Sequence, residues 1–66
     1  MGVSYKPLWK LLIDKDIKKT EMAEGIGIST STLSKLGKDE YVSLDVLVRI
    51  CKYLKCQLSD ICEVLL

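Results

Sequence analysis

Three cysteines, a set of lysines and a run of hydroxyl side chains are the residues of this chain with chemistry to offer. Cys51, Cys56 and Cys62 are odd in number, form no CxxC pair, and have no histidine to join them, because the sequence contains none. A structural zinc site takes four Cys or His ligands at closer spacing. The three thiols are therefore read as small buried hydrophobes, a common fate of free cysteine. The lack of histidine also removes the commonest general base, and no glycine-rich phosphate loop is present. No enzyme is expected, and no metal, cofactor or small-molecule ligand is indicated. The lysines are more informative. Residues 1–38 carry seven lysines against four acids, a net +3, whereas residues 39–66 carry three cations against five acids, a net −2. The first half can face a polyanion and the second cannot do so easily. Asp39-Glu40, just past Lys38, should repel phosphate.

These side chains must be positioned by a small framework. Sixty-six residues, 48% hydrophobic and 29% charged, make a single globular domain over residues 1–66, of a size whose stability margin is thin. No apolar run reaches the roughly 18–20 residues of a membrane span. Lys6 and Lys10 interrupt any signal-peptide pattern, so a reducing cytoplasm is the expected location.

The apolar spacing is helical throughout, giving an all-α class with five short helices. Ser4 can cap the first, with Pro7 in its opening turn and Leu8, Trp9, Leu12 and Ile13 as its buried stripe, ending near Lys15–Asp16. Trp9 is read as a core residue. A second helix covers about Lys18 to Gly25 and turns Met22, Ala23 and Ile26 inward; Thr20 is an alternative start. Gly25 there is unfavourable by about 1 kcal/mol relative to Ala. Ser29 caps a third helix, Thr30 to Leu36, with Leu33 and Leu36 buried and Gly37 as its stop. After a loop, Ser43 caps a fourth helix burying Leu44, Leu47, Ile50, Cys51 and Leu54. A fifth is expected from about Leu58 to Val64, capped by Gln57 or Ser59 and burying Leu58, Ile61, Cys62 and Leu65. Arg49 fits an ion pair.

The stretch from Lys19 to Leu36 satisfies a demanding geometry. Two helices crossing steeply through a short turn need a small residue on the first where it meets the second, and Ala23 is there. The turn needs a residue that tolerates positive φ, and Gly27 follows four positions later. Met22, Ile26, Ile28, Leu33 and Leu36 supply the apolar flanks. A helix-turn-helix over about residues 18–37 is the result.

On these residues, together with Ile28-Ser29, the segment Ser43 to Ile50 and the segment Leu58 to Leu65, the chain resembles the Cro-like, Xre-type helix-turn-helix domains of phage repressors and bacterial regulators. The resemblance covers nearly the whole chain and implies a five-helix, lambda-repressor-like fold standing as a lone domain. It further implies double-stranded DNA as partner, a near-palindromic operator and a homodimer. Carried over by residue, Thr30, Ser31 and Lys35 match positions that read base edges, with Ser34 alongside and Thr32 near the backbone. Ser29 would hold the helix N-terminus, which favours a phosphate. Lys18 and Lys19 match the phosphate grip at the start of the second helix, and Lys38 joins the contact set. Lys35 suits guanine O6 or N7, and the threonine methyls suit thymine.

Val46, Tyr53, Val64, Leu66 and Val3 are apolar residues off the expected core faces. Part of this set is expected to form a two-fold interface; alternatively, Val3 and Val64 to Leu66 pack on each other as extended tails of one chain. The function expected is a transcription regulator acting as a repressor. The alternative is a protein-interaction module built on the same scaffold, favoured by Asp39-Glu40 and the small net charge.

Overall fold

Lys6 and Pro7 open the first helix because the fixed φ of proline suits a first turn and its missing N–H has no partner to lose there. The computed structural model describes residues 2–66. Strand β1 (Gly2–Ser4) leads into helix α1 (Lys6–Asp14), followed by α2 (Lys19–Ile26), α3 (Thr30–Gly37) and α4 (Leu44–Leu54). A single 3₁₀ turn, Leu58–Asp60, and strand β2 (Glu63–Leu65) complete the chain. Among the described residues no helix is long and apolar enough to cross a membrane.

The core is one cluster to which every helix contributes: Tyr5, Leu8, Leu12, Met22, Leu36, Ile50, Leu54 and Ile61. Leu8 and Leu12 are buried as the i, i+4 pair of α1, and Trp9 is half-buried, but Ile13 is 77% exposed. Ile13 lies roughly 140° around the helix from Leu8, which carries it off the stripe. Leu44 is likewise exposed, since it lies roughly 120° around α4 from the buried Ile50. Leu33, Leu47 and Cys51 are half-buried against the cluster.

Helix ends follow local chemistry with two shifts. The N-cap of α1 is Tyr5; the Ser4 hydroxyl still accepts the Lys6 N–H at 3.3 Å. Helix α2 stops at Gly27, whose φ of 75° places it in the left-handed region. In helix α3, Gly37 is the last helical residue and not the left-handed stop beyond it. The left-handed residue is Asp39 (φ 57°), and the Glu40 and Asp39 N–H groups close back on the Lys35 and Leu36 carbonyls at 3.0 and 3.3 Å. That is a Schellman end with aspartate in the place usually held by glycine.

The expected fifth helix is not formed over Leu58 to Val64, and this segment is the main correction to the five-helix reading. The Gln57 N–H donates to the Asp60 carboxylate at 2.9 Å, which closes a single 3₁₀ turn. The chain then extends, and β2 pairs antiparallel with β1, setting Gly2 opposite Leu65, Val3 opposite Val64 and Ser4 opposite Glu63. β-branched Val3 and Val64 suit this pleated pairing. Of the residues expected inside, Ile61 is fully buried and Cys62 half-buried, while Leu58 and Leu65 are exposed. Among the described residues the architecture is thus four helices with a small two-stranded sheet that pairs Gly2–Ser4 with Glu63–Leu65.

Candidate nucleic-acid interface

Helix α3 is held by what lies beneath and before it. Leu36 is fully buried and Leu33 half-buried on its inner face. At its start Ser29 has extended backbone angles, and its hydroxyl accepts the Thr32 N–H at 3.2 Å, satisfying one of the free donors of the first turn. The Ser29 and Thr32 hydroxyls also lie 3.2 Å apart and hydrogen-bond to each other. These two side chains hold the helix end, and Thr32 is half-buried.

The opposite face is different in character. Thr30, Ser31, Ser34, Lys35 and Lys38 are all exposed and fall within an arc of roughly 140° around the helix. Three hydroxyls and two ammonium groups on one arc provide donors throughout and acceptors at the hydroxyls, a set suited to base edges and phosphate oxygens.

The turn that aims α3 depends on α2. The Gly27 and Ile28 N–H groups both donate to the Ala23 carbonyl, at 3.0 and 3.1 Å, and Ala23 is buried. Behind α2, Arg49 pairs with Asp45 at 3.0 Å and reaches the Ile26 carbonyl at 3.4 Å, tying the last turn of α2 to α4. Gly25 has a packing reason: a Cβ there would come within 2.5 Å of the Tyr53 ring. At the other end of α2, Lys18 and Lys19 are exposed, Lys18 being the N-cap without a side-chain cap bond. The Lys19 Nζ stands 4.4 Å from the centroid of the Trp9 ring.

The acidic loop is turned to another use. The Asp39 carboxylate accepts the Tyr5 N–H at 3.0 Å, and the Tyr5 hydroxyl donates to the Glu40 carbonyl at 2.8 Å. Tyr5 is buried at the N-cap of α1, so the loop leaving α3 is fastened to the start of α1. Burial, then the nearby Cys62, pushes the Tyr5 hydroxyl pKa up, consistent with its role as a donor. Sequence reasoning singled out neither partner: a lone tyrosine carries no signal, and Asp39 registered only as charge.

The cysteines form a separate, inward group. Burial first, and then the neighbouring Cys51, pushes the Cys56 thiol up to about 11 and raises that of Cys62 as well. Among the described residues no group of three or more Cys, Asp or Glu is placed to hold a metal ion.

Comparison with known proteins agrees with this geometry. The Cro/C1-type HTH DNA-binding domain pattern matches residues 7–65. An uncharacterised HTH-type transcriptional regulator of Bacillus subtilis (strain 168), YozG, is 40% identical over 55 residues, which cover 80% of this chain and 66% of that protein. The crystal structure of the transcriptional regulator VanUg superposes with a TM-score of 0.95 at 59% identity, over 97% of this chain and 85% of that one. Because the matched span takes in α1 to α4 and the 3₁₀ turn that closes the core, the chain belongs to the family of Cro/C1-type helix-turn-helix DNA-binding domains.

Proposed function

We propose that this protein is a sequence-specific DNA-binding transcription regulator that lays α3 in the major groove. The observation carrying this reading is the exposed arc of Thr30, Ser31, Ser34 and Lys35 on a helix whose other face is fixed by Leu33 and Leu36. In this reading Thr30, Ser31 and Lys35 reach base edges, with Ser34 beside them. Ser29 and Thr32 fix the helix end and offer it to a phosphate. Lys18, Lys19 and Lys38 hold the backbone, which positions the helix without reading sequence. Occupying a promoter excludes polymerase by bulk, so the regulator acts as a repressor, in the cytoplasm where such DNA lies.

The arc has no Arg, Asn or Gln, the side chains that make the strongest bidentate base contacts. One domain therefore reads few base pairs, and a homodimer on a near-palindromic operator, with half-sites about 34 Å apart, supplies the missing specificity. Of the interface residues considered, Val46 is half-buried against the core and Tyr53 packs over Gly25. Val64 and Leu66 are exposed and line an apolar groove with Val3, Tyr41, Val42 and Leu65, which favours the sheet face for the second copy. Sedimentation equilibrium at micromolar concentration reads this directly: a 14–15 kDa species, about twice the 7.4 kDa chain, supports a preformed dimer.

Random-site selection on duplex DNA tests the main reading, with Lys35→Ala and Thr30→Ala/Ser31→Ala run beside the parent. A near-palindromic motif that the variants lose or relax supports it. A folded parent that enriches nothing transfers the function to a protein partner.

A further inference from the structure

We infer that Trp9 is a positioning residue for DNA binding: its indole face holds the Lys19 ammonium at the place where the start of α2 would meet a phosphate. This rests on the DNA-reading function proposed above and assigns a part in it to a helix that reads nothing itself.

Three observations converge on the pair. Lys19 is the first residue of α2, and its Nζ lies 4.4 Å from the Trp9 ring centroid, within the roughly 6 Å over which an indole attracts a cation. The one ion pair among the described residues joins Arg49 to Asp45, so the ring, and not a carboxylate, is what Lys19 rests on. Trp9 itself is half-buried, and with Ile17, Lys18, Lys19 and Thr20 it lines an open groove between α1 and the start of α2. The ammonium is reachable from solvent along that groove.

The chemistry suits a phosphate on the outer side. An ammonium has three donors, and one resting on a ring face keeps the outward ones for an oxygen. A free surface lysine loses rotamer freedom when it grips a phosphate; a ring that already holds its head removes part of that loss before DNA arrives. An aliphatic side chain would fill the same half-buried space without the negative ring face. Because a phosphate contact carries no sequence information, Trp9 sets affinity and leaves the preferred site unchanged.

Binding of a labelled duplex of about 20 base pairs and arbitrary sequence, at low salt where non-specific contacts dominate, tests this. The proteins are the parent, Trp9→Leu, Trp9→Phe, Lys19→Ala and the Trp9→Leu/Lys19→Ala double variant, each checked for helical circular dichroism. Trp9→Leu should weaken binding about three-fold, and Trp9→Phe, which keeps a ring face, should recover most of that. In the Lys19→Ala background Trp9→Leu should change nothing. Equal weakening with and without Lys19, or none in either, overturns the inference and leaves the DNA-reading function standing. A folded parent that binds no duplex at low salt overturns both. Should Trp9→Leu fail to fold, the emission of Trp9, the one tryptophan in the sequence, answers instead. Saturating duplex must change it in the parent and leave it unmoved in Lys19→Ala; unmoved emission in the parent overturns the inference.

Discussion

At the scale of single residues, several side chains matter for reasons their type alone does not announce. Gly25 looks like a fault in α2, yet it makes room for the Tyr53 ring. Gly25→Ala should therefore be close to neutral alone, since the roughly 1 kcal/mol gained in helix propensity is offset by a displaced ring. In a Tyr53→Ala background the same substitution should stabilise by about 1 kcal/mol, read from paired urea unfolding curves. Cys56 offers a second check. Its pKa is raised from 9.0 to about 11, so the folded thiolate fraction at pH 8 falls about 100-fold. Its reaction with a thiol reagent should be slower by about that factor than in the denatured chain. The linkage has a definite sign. A thiol whose folded pKa is raised favours the fold below pH 9, and that contribution is lost as pH rises from about 9 to 11. The inward placement of the cysteines was legible from their number and the absence of histidine; the Lys19–Trp9 contact was not, because cation and ring lie ten residues apart on different helices.

At the scale of elements, the helices whose caps and periodicity agreed were the legible ones. Ser29 and Ser43 both accept an N–H three residues on, and α3 and α4 begin where those serines put them. The end of α3 shows what local reasoning misses. Gly37 could have been the left-handed stop, but it stays in the helix as its last residue, and Asp39, two positions on, takes the left-handed position and ties its carboxylate to Tyr5 across 34 residues. Asp39→Ala should cost about 1–2 kcal/mol, having lost that bond at a position where a Cβ is already strained. Asp39→Asn tolerates the same backbone and keeps an acceptor, so it should cost less than half as much; thermal unfolding of the two variants side by side measures the difference. The C-terminal segment fails for a related reason. Its apolar spacing fits a helix, but Val64 finds Val3; periodicity carries no mark of that distant partner, and only the off-face apolar residues at the two ends pointed to paired tails.

At the scale of the whole molecule, a 66-residue chain has to build a rigid platform from a small core. It does so by closing on itself: β1 pairs with β2, Tyr5 fastens the loop behind α3, and Arg49 binds the end of α2 to α4. The Ala23–Gly27 turn and the exposed arc of α3 were readable in advance because they follow from helix geometry within one stretch of sequence. Of the clamps that hold that stretch in place, the pairing of Val3 with Val64 was one of two alternatives the apolar tails offered, whereas the bonds that Tyr5 and Arg49 make to distant backbone carbonyls left no sign in the sequence. The effect is to spare the arc of Thr30, Ser31, Ser34 and Lys35 from any structural duty, which is what the proposed DNA-reading role requires of it. Amide chemical-shift mapping of ¹⁵N-labelled protein titrated with duplex DNA examines that claim most directly. The account predicts the largest shifts at Ser29 to Lys38 and at Lys18 and Lys19, with the sheet and Ile61 little changed. Shifts gathered on Tyr41 and Val64 to Leu66 while α3 stays silent would contradict it.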